Sequence, residues 1–120
     1  MAVEVRTSEL QSEVLVVHLS GRLDMETIEA DAPAVKTALN DCSAGLVLDL
    51  QAVTFLSSSG LRMLISVRQN ALAAGKQLVI TGVSPLVRKT FVVAGLENAF
   101  QYEATPEAAL ASLRNQPERP

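Results

Sequence analysis

The stretch Gly45-Leu46-Val47-Leu48-Asp49-Leu50 constrains the fold more than any other part of the chain. It is apolar at successive positions and bounded by turn residues, the pattern of a central strand in a parallel sheet covered on both faces. Such a strand needs partner strands on either side and helices above and below, and the remaining sequence supplies both. Val14-Leu15-Val16-Val17-His18-Leu19, inside a strand predicted over Glu13 to Gly21, is also apolar on both faces. Gln77 to Thr81 gives a further strand and Ala99 to Tyr102 a short last one. Val3, Val5 and Thr7 alternate with Glu4 and Arg6, as in a half-exposed edge strand, close enough to pair antiparallel with the next strand across Gln11-Ser12.

Helical signals fall between these strands. Gly21-Arg22-Leu23-Asp24 closes the second strand and leads into a helix. Proline fits a first helical turn, so Pro33 places the regular part of that helix from near Asp31, with Val35, Ala38 and Leu39 as its apolar stripe. Leu61, Leu64, Ile65 and Leu72 recur at helical spacing, with Arg68 among them, and Gly75 marks the end. Ser84-Pro85 reads as a cap followed by a first-turn proline, with Gly95-Leu96 as the stop. Thr105-Pro106-Glu107 repeats the signal before a helix carrying Leu110 and Leu113. The expected architecture is an α/β sandwich in one domain, residues 1–115, with 116–120 as a frayed tail. Its mixed, mostly parallel sheet has about four or five strands and about four helices.

Composition narrows the function. A chain that is 48% hydrophobic and 19% charged is a globular domain, and at 3% aromatic with no Trp its core must be aliphatic. The net charge of −3 and a pI near 5.1 argue against nucleic acid or an anionic membrane as partner. One cysteine, Cys42, leaves no internal disulfide and no Cys-based zinc site; it reads as a small apolar side chain near a helix end. Met1 to Leu10 lacks the apolar core of a signal peptide, and no apolar run reaches the roughly 18 residues of a membrane span. The expectation is a cytosolic protein without direct membrane insertion.

In open α/β sheets, sites gather at the carboxyl ends of the strands. Two loops lie there: Leu23-Asp24-Met25, and the turn Phe55-Leu56-Ser57-Ser58-Ser59-Gly60-Leu61. A helix start carries unpaired N–H groups and partial positive charge, so it stabilises an anion. Two readings of the serine turn stand side by side. One serine caps the helix while Gly60 allows close packing, or a serine accepts a phosphate worth roughly 1.5–2 negative charges. Asp24 either caps the following turn or lines the same surface as Ser58. Asp49, at the end of an apolar strand, bonds the backbone of the next loop. Catalysis is excluded more readily. His18 sits mid-strand as a satisfied structural histidine, and no Gly-x-Ser-x-Gly elbow surrounds Ser58. No metal-ligand spacing and no glycine-rich phosphate loop appears, which weighs against metal, cofactor and nucleotide binding.

Read in order, these pieces resemble the STAS family, the domain shared by sulfate-transporter tails and anti-anti-sigma factors. The resemblance covers roughly Val14 to Leu113 and rests on several motifs in sequence. They are Gly21-Arg22-Leu23-Asp24, Leu46 to Leu50, Val53-Thr54 with the serine turn, Gly75, Gly82-Val83-Ser84-Pro85, and Gly95-Leu96 before the Ala108-Ala109-Leu110 helix. The family turn reads Asp-Ser-Ser/Thr/Ala-Gly-Leu, with its first Ser as phosphoacceptor. That register implies Ser58 as acceptor and puts Ser57 where the family carries Asp. It further implies a partner surface of Asp24, Ser57, Ser58, Ser59, Gly60 and Arg62, and no catalytic residue. The implied function is anti-sigma factor antagonism by partner switching. The unphosphorylated protein binds a GHKL-type anti-sigma serine kinase, phosphorylation releases it, and a PP2C-type phosphatase resets it. Ser57 also admits a STAS subunit that docks on a transporter or scaffold without a switch.

Overall fold

In a computed structural model of the chain, which describes residues 3–7 and 14–114, the central apolar run is the middle strand of a five-stranded sheet. Strand β1 (Val3–Thr7) pairs antiparallel with β2 (Val14–Leu23). From β2 onward the sheet is parallel through β3 (Gly45–Leu56), β4 (Gln77–Thr81) and β5 (Gln101–Glu103), in chain order. The connections are helices α1 (Met25–Asp41), α2 (Ser58–Ala73) and α3 (Pro85–Val93); α4 (Pro106–Arg114) follows β5. The Gln11-Ser12 turn, the boundary at 115 and the 116–120 tail lie outside the described residues.

Alternation along the strands divides the interior into two cores. Leu15, Val17 and Leu19 with Leu46, Leu48 and Leu50 turn one face of the sheet toward α1, α2 and α3. Val14, Val16, Val47 and Val79 face the other way, against Ala109, Leu110 and Leu113 of α4. Every aromatic residue except Phe55 meets at one edge of the larger core. Phe91 stands edge-on to Phe100 and Tyr102 at centroid distances of 5.4 and 5.9 Å.

Four boundaries differ from the sequence reading, each for a local reason. Strand β2 continues past Gly21 to Leu23, because Gly21 takes φ 77° and the ladder shifts register there without breaking. Helix α1 begins at Met25, not near Asp31. The Asp24 side chain accepts the Thr27 N–H while the Thr27 hydroxyl accepts the Asp24 N–H, a reciprocal cap that starts the helix six residues earlier than Asp31. Pro33 therefore lies inside the helix, on its exposed side, where water can serve the carbonyl left without a donor. Strand β3 runs beyond Leu50 to Leu56, alternating once it leaves the covered centre, with Val53 and Leu56 buried and Thr54 and Phe55 exposed. The last strand is 101–103, displaced from the expected 99–102. The expected ends at Gly75 and Gly95 are found, at φ 72° and 74°, and Ser84 and Thr105 cap α3 and α4. Cys42, buried at the end of α1, bonds the Leu39 carbonyl through its thiol, and desolvation pushes that thiol's pKa up.

The buried polar residues of the sheet, among those described, are Asp49 and Thr81, and Asp49 joins the strands. It is opposite His18 on β2 and Thr81 on β4. Oδ2 lies 2.8 Å from His18 Nδ1, while Oδ1 accepts from the Thr81 hydroxyl and the Gln51 N–H, each at 3.2 Å. His18 is thus satisfied, as read from sequence. Asp49 does bond backbone two residues on, but its main partners are side chains of two other strands, which a local reading does not reach. Replacing it strands a buried hydroxyl and an amide. Asp49→Ala is expected to lower unfolding free energy by about 2–4 kcal/mol in urea titration.

Candidate functional site

The last β3–β4 pair is Asp49 with Thr81, but β2 and β3 stay paired to Leu23 and Leu56. The two strands thus extend beyond the rest of the sheet as a ribbon, and α1 and α2 both start from its tip. One atom ties the two starts together. The Leu23 carbonyl accepts from the Ser57 N–H at 3.0 Å and from the Ser57 hydroxyl at 2.9 Å. The same hydroxyl oxygen accepts the Gly60 N–H at 3.1 Å, making Ser57 the cap of α2. Gly60 is required at its position. A Cβ there would lie 2.6 Å from the Leu23 oxygen and 2.7 Å from Leu56 Cδ1.

The cap is therefore Ser57, which leaves Ser58 exposed at the first helical position. Among the described residues no hydrogen bond engages the Ser58 hydroxyl. Ser59 is half-buried and Arg62 exposed, one turn along from Ser58. Asp24 fulfils both of its open readings. It caps α1, and it follows directly on Leu23, the residue that holds the serine turn. Its carboxylate is held below the ordinary range chiefly by the Thr27 N–H, with help from the Thr27 hydroxyl and the Arg22 charge. Arg22 reaches Asp24 Oδ2 at 3.7 Å and lies over the Phe55 ring at 4.2 Å.

Of the expected site residues, Ser58 and Arg62 are exposed, Asp24, Ser57 and Ser59 are half-buried at the two helix starts, and Gly60 is buried against Leu23 and Leu56. His18 and Asp49 pair at the base of the ribbon, away from its tip, and Cys42 sits at the far end of α1. Sequence reasoning missed the groove next to Ser58. It measures about 390 Å³, lies between α2 and α3, and has Leu61, Leu86, Val93 and Lys89 in its walls with Ser58. Leu86 and Val93 are 65% and 78% exposed, so the groove presents apolar surface to solvent. The only sequence signal for it was apolar residues on both sides of α3, where one stripe suffices for a core. Among the described residues, no helix is long and apolar enough to cross a membrane.

A strand pair that delivers a capped serine turn at the start of the second helix, in a sheet of this order, defines a STAS domain. Residues 7–104 match the family model described as Mlab, STAS domain, and the chain belongs to that family. It is 31% identical to the anti-sigma-F factor antagonist RsfB of Mycobacterium tuberculosis over 101 residues, which are 84% of this chain and 82% of RsfB. It is 26% identical to the putative anti-sigma factor antagonist BtrV of Bordetella bronchiseptica, over 84% of this chain and 87% of BtrV. Among solved structures, an anti-sigma factor antagonist from Mycobacterium paratuberculosis superposes with a TM-score of 0.83 at 29% identity, covering 95% of this chain and 94% of that one.

Two measurements test the geometry. Gly60→Ala should cost about 1–3 kcal/mol of stability in urea unfolding, through the forced separation of α2 from the Leu23 carbonyl. The Asp24 cap carries a pH signature. Its folded pKa is below the unfolded value near 3.8, so its contribution is complete above that value and disappears as pH falls through the lower folded pKa. An acid titration of the melting temperature should show a drop beginning near pH 4, reduced in Asp24→Asn.

Proposed function

We propose that the chain is an anti-sigma factor antagonist that switches partners through Ser58. The observation carrying this reading is the division of labour in the turn. Ser57 performs the capping, so Ser58 is exposed with its hydroxyl unengaged, and a phosphate can be added without undoing the helix start. RsfB, similar over most of its length, is named an anti-sigma-F factor antagonist, and the resemblance of the ordered motifs implies the same role. Asp24, Ser57, Ser58, Ser59, Gly60 and Arg62 form the partner surface. No catalytic residue is needed on this chain, because it acts as a substrate.

In the cycle, a GHKL-type anti-sigma serine kinase binds the unphosphorylated surface and releases its sigma factor. The kinase then transfers the γ-phosphoryl group of ATP to Ser58 Oγ. A new O–P bond forms, the bond to ADP breaks, and the hydroxyl proton is lost. The added charge takes the chain from −3 to about −5 and concentrates the change on the docking face. A PP2C-type phosphatase uses water to return the hydroxyl and free inorganic phosphate. Incubated with its cognate kinase and ATP, the protein should gain one phosphate, lost in Ser58→Ala, and Ser58→Asp should weaken kinase binding at least tenfold, or about 1.4 kcal/mol. Kinase binding by Ser58→Asp at the parent affinity would overturn the switch.

A second reading has its own support. Ser57 stands where the resemblance implies the acidic residue of the switching turn. An unswitched subunit docked on a transporter would use the same surface. It predicts co-purification with a transporter complex, and no phosphate on Ser57, Ser58 or Ser59 in mass spectra of protein from its native cell.

A further inference from the structure

We propose that Lys89 and Arg62 form the receiver for the phosphate on Ser58, gripping it from two helices; this rests on Ser58 being the phosphoacceptor. The assignment follows from which cations around the site are already committed. Arg22 is held by Asp24 and the Phe55 ring. Arg88 lies over the Tyr102 ring at 4.8 Å, on the other side of α3 from the groove. Lys76 donates to the Leu39 and Asn40 carbonyls at the far end of α1. Among the described residues, Lys89 and Arg62 have neither ion pair nor hydrogen bond through their charged ends. Both are exposed, and both are placed for position 58. Arg62 is four residues on, the spacing at which side chains of one helix face each other. Lys89 comes from α3 and shares the walls of the groove with Ser58 itself.

Two acidic side chains stand at the start of α1, Asp24 and the exposed Glu26. Asp24 is taken up by its own cap and by Arg22, and the first turn of α2 has no acidic residue. Ser57 removes the carboxylate that the family turn would set next to the phosphate, and with it the main local repulsion. Once modified, Ser58 draws the Lys89 ammonium across the groove whose floor includes Leu61 and whose rim includes Leu86 and Val93. Phosphorylation then alters the partner surface twice, by adding charge at Ser58 and by placing a lysine over exposed apolar contacts.

The test installs phosphoserine genetically at position 58 of the full chain and follows its second ionisation by phosphorus NMR. Nearby cations favour the dianion, so Lys89→Ala and Arg62→Ala should each raise that pKa by about 0.2–0.7, the scale of an exposed ion pair. Lys89→Arg should keep the parent value, and in 1 M salt the difference between parent and Ala variants should shrink. Ala variants that titrate with the parent, or a shift untouched by salt, would overturn the receiver. Because the phosphate is installed without a kinase, failure of the receiver is read separately from failure of Ser58 as a kinase target, which the phosphorylation assay reports.

Discussion

The Leu23 carbonyl is the atom on which the rest of this molecule's working end depends. It closes the β2 side of the ribbon and accepts two hydrogen bonds from one residue, the N–H and the hydroxyl of Ser57. A carbonyl with two lone pairs can do this without leaving another group unpaired. The result is a rigid link between the starts of α1 and α2, made entirely of short-range bonds and therefore insensitive to salt or pH. Gly60 belongs to the same contact, since only a residue without Cβ lets α2 approach Leu23 so closely. Asp24 and Ser58, each one residue from the link, are thus held relative to each other by backbone.

The same link shows how a serine holds the start of α2 at position 57, where the resemblance in sequence implies an aspartate. A carboxylate at a helix start accepts N–H bonds more strongly than a hydroxyl does, but it also places a negative charge beside position 58. Ser57 exchanges charge for an extra donor: its hydroxyl bonds Leu23 as well as receiving the Gly60 N–H. The helix start is held by geometry in place of electrostatics, and the positive end of α2 remains available. Lys89 shares the walls of the groove with Ser58 and Arg62 follows one helical turn along, and among the described residues neither charged end has another partner.

Most of the fold was legible because its determinants are local. Apolar runs bounded by turn residues identified β2, β3 and β4, and the Ser84-Pro85 and Thr105-Pro106 pairs identified the starts of α3 and α4 at the correct residues. Misplaced boundaries came where two local signals conflicted. Pro33 argues for a helix beginning near Asp31, whereas Asp24 and Thr27 form a capping pair at the spacing of a reciprocal cap; two hydrogen bonds at the start outweigh one missing bond on an exposed face. The same weighing applies to Gly21, which bends β2 without ending it. At the site, sequence pointed to the serine turn and to Asp24. Only three dimensions could say that Ser57 caps, that Ser58 is open, and that Lys89, 31 positions from Ser58 in the chain, stands in the same groove.

The two ends of β3 show how such a small domain can leave the tip of its ribbon exposed without losing stability. Toward its start the strand is covered on both faces, by α4 on one side and by α1 to α3 on the other. Past Asp49 the β4 pairing stops and the outer face opens, with Gln51, Ala52, Thr54 and Phe55 exposed. Asp49 occupies the crossover between these regimes. Its carboxylate joins β2, β3 and β4 at the last register where all three are present, and His18 alone of the group reaches solvent, with its side chain about a third exposed. An aliphatic residue there would pack as well but would give the strands no reason to keep a common register at the point where the ladder starts to slip, between His18 and Ser20. A directional polar clasp at the base of the ribbon therefore fixes the geometry that the Leu23–Ser57 link then carries to the tip. Between those two points the ribbon can dispense with helices on its outer face, and the surface left bare by that arrangement is the one carrying Arg22 and Phe55 beside the serine turn.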